Sequence, residues 1–154
     1  LGRIAQHQGD ALKAEQHYQE ALSIRRDIGD RRGIAETLCN LGVLAQDRAD
    51  YVTARSCYRE CLQIWRELKD RAGIALALHN LGEVAAAESN FDLALPLLAA
   101  AAHSFHRIGS PLAAESEAFL QSLSERSEAQ PFAERLQAAK AMPWEDILKI
   151  ATNE

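Results

Sequence analysis

The sequence predicts an all-α fold, an α-α superhelix (a solenoid) of about three stacked helical hairpins closed by C-terminal capping helices. Two observations predict it. First, the chain repeats itself with a period of forty residues, since eighteen residues in positions 1–40 recur unchanged forty positions later. Second, apolar residues within each repeat follow helical spacing, as in Ile34, Leu38, Leu41 and Ala45, and the alternation typical of strands is absent. One hairpin cannot bury both of its faces alone, so neighbouring hairpins are expected to stack.

Turn-forming residues divide the repeat region, residues 1–110, into units 1–30, 31–70 and 71–109. The two helices of a unit are separated at Gly9-Asp10, Ala49-Asp50 and Ser89-Asn90, where the Asp or Asn can cap the next helix. Gly9 is predicted to adopt the left-handed conformation that ends a helix. Each following unit begins at Asp30, Asp70 or Ser110, and Ser110 is followed by a proline at the first helical position.

Small residues recur where two helices of a hairpin are expected to touch. A glycine in a helix interior costs about 1 kcal/mol relative to alanine, so its recurrence at Gly42 and Gly82 indicates close helix contact. Ala54 and Ala94 are the corresponding small residues of the partner helices, and Tyr58 is expected to fill the space beside the contact. Trp65 is expected in the core, with a partly exposed surface anchor as the alternative.

The order of these residues resembles the tetratricopeptide repeat. The resemblance rests on Asn40-Leu41-Gly42 and Asn80-Leu81-Gly82, followed by Ala54, Tyr58 and Cys61 at the family's spacing, and it covers roughly residues 1–110. The period of forty is longer than the usual thirty-four, which is similar to the long-repeat subclass, and the proline usual near the end of a unit is absent. The resemblance implies a scaffold, not an enzyme, that binds a protein or peptide in a concave groove.

The resemblance also implies which residues line the groove, because the first helix of each unit forms the concave face. Asn40 and Asn80 are the best candidates, since an amide offers a donor and an acceptor to a peptide backbone; the alternative is that each bonds to a neighbouring helix. Glu36 and Leu76 stand where a carboxylate-binding clamp would have lysine, so we expect a partner segment with basic and apolar character rather than a C-terminal carboxylate. The full set is Arg3, Gln6, His7, Glu36, Cys39, Asn40, Val43, Gln46, Asp47, Leu76, His79, Asn80 and Glu83.

Residues 111–154 are predicted to cap the repeats with three helices, from Leu112 to about Ser127, from Pro131 to Met142 and from Pro143 to Thr152. The first of these helices and the face formed by Trp144, Ile147, Leu148 and Ile150 are expected to cover the apolar stretch 93–102. Pro96 within that stretch predicts a kink or a late helix start.

The C-terminal segment, from Phe132 through Met142-Pro143-Trp144 to Ile150-Ala151, also resembles the end of bacterial multidomain regulators. In those proteins a nucleotide-binding switch domain, often with a LuxR-type or SARP-type DNA-binding domain, precedes long tetratricopeptide repeats. Because the chain starts at Leu1 within a motif, we interpret it as a fragment whose missing part is N-terminal. The resemblance implies the partner-binding or sensor arm of a signalling or transcriptional regulator.

Three pairs of residues suggest chemistry as an alternative. The spacings of His103 with His106 and of Cys57 with Cys61 could each place two ligands on a metal ion, but no third ligand is evident. Cys39 with His79 could form a nucleophile and a base, yet the two are equivalent positions of adjacent units. Cys61 stands at a small-residue position, which indicates packing. We therefore expect no metal, no cofactor and no catalysis.

Composition limits the partners. A net charge of -5 provides no excess of positive charge for nucleic acid, and no apolar run approaches the roughly 20 residues of a membrane helix. Three cysteines without the CxxC spacing typical of metal sites indicate reduced thiols in the cytoplasm. The alternative function is structural self-association, in which the incomplete first hairpin exposes an apolar face and forms a homodimer.

Overall fold

The computed structural model describes the backbone of residues 2–126 and 129–152 and the side chains of residues 11–124 and 132–152. Within these ranges the chain forms eight helices and no strand, so the predicted all-α fold of packed helix pairs is confirmed. The chain divides into two compact units, the N-terminal unit Leu1–Ile64 and the C-terminal unit Trp65–Glu154, with the boundary inside the third helix. The helices are α1 (Gly2–Asp27), α2 (Arg31–Asp47), α3 (Tyr51–Glu67), α4 (Arg71–Ala87), α5 (Phe91–Arg107), α6 (Leu112–Arg126), α7 (Ala129–Ala141) and α8 (Trp144–Thr152).

The turns after α1 to α5 share one geometry. Each contains a residue in the left-handed region, with φ between 55° and 71°, and these residues recur every twenty positions as Gly29, Ala49, Lys69, Ser89 and Gly109. Backbone N–H groups of the turn bond back to carbonyls of the last helical turn, as Asp50 N does to Ala45 O at 2.9 Å. The predicted helix ends near residues 49 and 89 are therefore confirmed.

Side chains cap the helices that follow these turns. The carboxylates of Asp30 and Asp70 each accept a hydrogen bond of 2.9 Å from a glycine N–H three residues on, and the Asn90 amide oxygen accepts one from Leu93. Ser110 accepts a hydrogen bond from the N–H of Leu112, the first residue of α6. The contact of Asn90 confirms its predicted capping role, and Asp30, Asp70 and Ser110 cap the helices at whose start they were placed.

The predicted break at Gly9-Asp10 is wrong. Helix α1 runs without interruption from Gly2 to Asp27, so Gly9 is not left-handed and Asp10 does not start a helix. The chain here keeps its consecutive backbone hydrogen bonds, at the cost of about 1 kcal/mol that a glycine carries in a helix interior.

The recurring helical glycines lie at close helix contacts, as predicted. A Cβ atom on Gly42 of α2 would overlap the ring of Tyr58 in α3. A Cβ atom on Gly82 of α4 would lie 2.6 Å from Cγ and 3.3 Å from the backbone N of Leu98 in α5. Leu98 stands forty residues after Tyr58, so both repeats make the same contact. Tyr58 is fully buried, and its hydroxyl donates to Oε1 of Gln46 at 2.9 Å.

A second pair of glycines makes room for a large side chain at the junction between repeats. In the N-terminal unit, Arg25 lies against Gly33 and donates to the Gly33 carbonyl and to Oγ1 of Thr37, both at 2.6 Å. In the C-terminal unit the ring of Trp65 takes the equivalent place against Gly73. Trp65 is 5% exposed, so it belongs to the core and not to the surface.

Helix α5 is the centre of the C-terminal unit. It packs against α4, α6, α7 and α8, and its Leu95 and Leu98 share one apolar cluster with Leu123 and Phe132. The predicted covering of residues 93–102 by the C-terminal helices is thus observed, with Ile147 of α8 buried. Trp144 differs from the expectation, because it remains 42% exposed.

The late helix start predicted from Pro96 is wrong, because α5 begins at Phe91. The Asn90 cap fixes that start, and the buried proline ring adds to the apolar core while the helix forgoes one backbone hydrogen bond. None of the helices in the described ranges is long and apolar enough to cross a membrane.

Candidate functional site

Four of the predicted partner-binding residues form one exposed face of α2. Glu36, Asn40, Val43 and Asp47 follow at intervals of four, three and four residues, which places them along one side of the helix. All four are exposed, and the apolar Val43 is 44% exposed. We call these four residues the α2 face.

The Asn40 amide is open to a ligand. Among the residues that the structure describes, none forms a hydrogen bond with the Asn40 side chain, so the bond to a neighbouring helix is not made. Carboxylates lie on either side of it along the helix. Glu36 approaches Nη1 of Arg25 at 4.0 Å, whereas Asp47 forms no ion pair with any described residue. The α2 face therefore offers an amide, an apolar side chain and two carboxylates, of which one is partly balanced.

The other candidates of the N-terminal unit do not belong to this face. Cys39 is buried, with its Sγ 2.9 Å from Sγ of Cys61 in α3. Gln46 is half-buried and accepts the hydrogen bond from Tyr58. The side chains of Arg3, Gln6 and His7 lie outside the described residues.

The equivalent candidates on α4 are mostly covered. His79 and Asn80 are buried, and Leu76 and Glu83 are half-buried. Nδ1 of His79 lies 2.9 Å from Oγ of Ser116 in α6, and its Nε2 lies 3.4 Å from Oε1 of Glu83. The rings of Phe105 and Phe119 meet the imidazole edge to face. Positions that are equivalent in the repeat therefore differ in exposure.

The contact between Ser116, His79 and Glu83 has the order of a hydrolytic triad, namely hydroxyl, imidazole and carboxylate. Ser116 is completely buried, so a substrate has no access to its hydroxyl. The contact instead links α4 to α6 through a satisfied buried histidine. Sequence reasoning did not identify Ser116, because it lies beyond the repeats and carries no motif.

The cysteines are placed as packing residues. The hydrogen bond with Cys39, followed by burial, raises the pKa of the Cys61 thiol, whose Sγ also donates to the Tyr58 carbonyl at 3.2 Å. Burial, followed by the nearby carboxylate of Glu60, raises the pKa of the half-buried Cys57. A nucleophilic cysteine requires the opposite, a lowered pKa and access.

His103 and His106 are exposed and line a cleft of about 800 Å³ in the C-terminal unit, together with Glu117 and Lys140. In the described part of the chain, no group of three His, Cys, Asp or Glu side chains is arranged to hold a metal ion.

Comparison with known families completes this picture. The signature of the tetratricopeptide repeat matches residues 1–62 and 33–102, and the two matches end forty residues apart, the period of the repeat. No curated protein and no solved structure matches the chain. Repeats of this kind generally mediate protein–protein interaction, and their fold is typically a non-catalytic scaffold. Two thirds of the sequence carry the signature and the helices pack in consecutive pairs, so the chain belongs to the tetratricopeptide repeat family.

Proposed function

We propose that the α2 face binds a segment of a partner protein. The observation that carries the proposal is the Asn40 amide, which is exposed and forms no hydrogen bond within the described residues. An amide can donate to a backbone carbonyl and accept from a backbone N–H of the same peptide. Val43, one turn away, supplies apolar contact next to it.

The charges of the face define the chemistry of the partner segment. Glu36 and Asp47 lie about 16 Å apart along the helix axis, given a rise of 1.5 Å per residue. An extended segment of about five residues spans that distance. The segment that fits has a basic residue near each end and an apolar residue between them.

Loss of the Asn40 amide tests this function. Asn40→Ala and Val43→Ser should each weaken partner binding by about 1–2 kcal/mol, a loss of roughly 5- to 30-fold in affinity. The matched control is Val52→Ser, since Val52 is 74% exposed on α3 and is not part of the face. Partners are isolated from lysate of the source organism with the unchanged chain, and their affinities for each variant are then measured by calorimetry.

Equal affinities for the unchanged chain, Asn40→Ala and Val43→Ser would contradict the proposal. Weakening by Val52→Ser to the same degree would do so as well, because it would move the binding surface away from α2. Circular dichroism of each variant checks that helicity is unchanged.

We further propose that this scaffold is the partner or sensor arm of a bacterial signalling or transcriptional regulator, acting in the cytoplasm. Support comes from the sequence of α7 and α8 alone, which is similar to the end of such regulators. Replacing Asn40 in the complete protein should then change the output of a transcription reporter in cells. An unchanged reporter, with partner binding lost in vitro, would contradict the regulatory role and leave the binding role intact.

One observation favours self-association as a second candidate. Helix α1 exposes Leu12 and Ile24, and the turn after it exposes Ile28, at 57%, 60% and 71% of their surface. Ile24 and Ile28 are close in sequence, and exposed apolar side chains at the end of a helix are suited to contact with a second copy of the chain. Ile24→Ser together with Ile28→Ser should convert a dimer to a monomer in light scattering. A monomer before substitution would contradict this candidate.

A further inference from the structure

The C-terminal unit contains a cleft in which positive charge is concentrated. Its volume is about 550 Å³, and its walls come from the end of α3, the start of α4, the end of α5 and the start of α8. Four permanently charged side chains and one histidine line it: Arg66, Lys69, Arg71, Arg107 and His103. We call it the basic cleft.

The charge of this cleft is opposite to that of the whole chain. The residues that line it include no aspartate and no glutamate, although the net charge of the chain is -5. Within the described ranges, Lys69, Arg71 and Arg107 form no ion pair with a carboxylate. Cations grouped in this way repel one another, which lowers the stability of the folded chain. An anionic ligand relieves that repulsion.

Two carboxylates that are close in sequence to residues of the cleft make other contacts. Asp70 lies between Lys69 and Arg71, but its carboxylate accepts from the N–H of Gly73 at 2.9 Å. Asp146 of α8 pairs with Lys149 at 3.2 Å. Lys69, Arg71 and Arg107 are therefore the cations with which a ligand can pair.

The basic cleft also has an apolar side. Trp144 and Ile108 are 42% and 39% exposed, and Ile74 and Leu148 are half-buried beside them. A half-exposed tryptophan next to arginines provides an apolar surface for one side chain of a ligand. A ligand that uses the whole cleft is therefore both anionic and apolar.

The distribution of the cations favours carboxylates spread along a chain over one compact phosphate. The N-terminus of α4, the usual position for a phosphate at this edge, is already capped by the Asp70 carboxylate, whose charge repels a second anion there. The four cations come from two helices, one turn and the first residue of a third helix. Several separate carboxylates match that arrangement better than one phosphate group.

We propose that the basic cleft binds an acidic peptide segment of a partner protein, in which glutamates or aspartates flank one aromatic or large aliphatic residue. Lys69, Arg71 and Arg107 pair with the carboxylates, and Trp144 contacts the apolar side chain. This surface lies on other helices than the α2 face, so the proposal does not depend on the function proposed for that face.

The probe is a fluorescein-labelled peptide of four glutamates around a central tryptophan and leucine, titrated with the full chain by fluorescence anisotropy. The double variant Arg71→Glu with Arg107→Glu should weaken binding at least tenfold. The matched control is Lys13→Glu with Arg32→Glu, which changes the net charge equally at two exposed residues of the N-terminal unit, outside the basic cleft. We expect this control to keep at least half of the affinity, and Trp144→Ser to weaken binding of the peptide.

Any of five results would overturn the proposal. Two concern the chain: the absence of saturable binding at low salt, and equal loss in the cleft variant and the control. Two concern the peptide: equal affinity with glutamines in place of the glutamates, and equal affinity with serines in place of the tryptophan and leucine. The last is complete displacement of the peptide by inorganic pyrophosphate at the same concentration, which would make the ligand a small polyanion. Circular dichroism confirms that each variant is folded.

Discussion

Replacing Gly42 with alanine tests the close approach of α2 and α3, because helix propensity and packing predict opposite signs. Propensity alone predicts that Gly42→Ala stabilises the chain by about 1 kcal/mol. The structure predicts the reverse, since the new methyl group would overlap the ring of Tyr58. That ring cannot move aside freely, because it is fully buried and its hydroxyl is bonded to Gln46 at 2.9 Å.

The magnitude follows from the two opposing terms. Adding a methyl group to a packed core costs about 1–3 kcal/mol. Subtracting the gain in propensity leaves a net loss of roughly 0–2 kcal/mol in the free energy of unfolding. Urea denaturation followed by circular dichroism measures this loss, and Ala118→Gly at an exposed position of α6 calibrates the propensity term in the same chain.

A double-mutant cycle with Tyr58→Leu assigns the loss to its cause. If the ring produces the overlap, the double variant should be less destabilised than the sum of the single variants by about 1 kcal/mol, a coupling typical of residues in contact. Stabilisation by Gly42→Ala of the size that propensity gives, or strict additivity in the cycle, would contradict an overlap between the new methyl group and the ring.

Three further results are expected. Ser89→Gly should stabilise the chain by about 1 kcal/mol in urea denaturation, because Ser89 adopts a φ of 60° that a side chain disfavours; a loss of stability would contradict the turn geometry. Ser116→Ala should cost about 1–2 kcal/mol, because it leaves a ring nitrogen of His79 unsatisfied, and a neutral effect would mean that the contact contributes nothing. Burial raises the pKa of Cys57, so its thiol should react with a disulfide reagent more slowly at neutral pH than free cysteine does. An equal or faster rate at neutral pH would contradict this burial.

The positions predicted best from the sequence are those whose physical reason is local. Asp50 and Asn90 cap helices because an N–H three residues on lies within reach of the side chain. Gly42 and Gly82 recur at a cost that only close contact explains, and both lie against a large side chain of the next helix.

The positions predicted least well are those whose exposure depends on how other helices pack against them. Asn40 and Asn80 are equivalent in the repeat, yet Asn40 is exposed and Asn80 is buried. His79, predicted to line the groove, is covered through contacts with Ser116 and Phe119 of α6, a helix outside the repeats. Repeat patterns report which side of a helix a residue occupies, but they do not report which later helix covers it.

The basic cleft illustrates the same limit. Lys69 and Arg71 flank Asp70, where the sequence predicts the start of a unit. Their meeting with Arg107 and Trp144 depends on how α5 and α8 pack, which no local pattern encodes. Charge clusters of this kind therefore become visible only once the helices are placed.

Site-specific photocrosslinking gives the most direct test of the claim that the α2 face binds a partner. A photoreactive amino acid replaces Val43 in one variant and Val52 in a second, two exposed valines on different helices. We expect a covalent adduct with a partner protein from position 43, lost when Asn40 is also changed to alanine, and no adduct from position 52. Adducts from position 52 alone, or from position 43 regardless of Asn40, would contradict it.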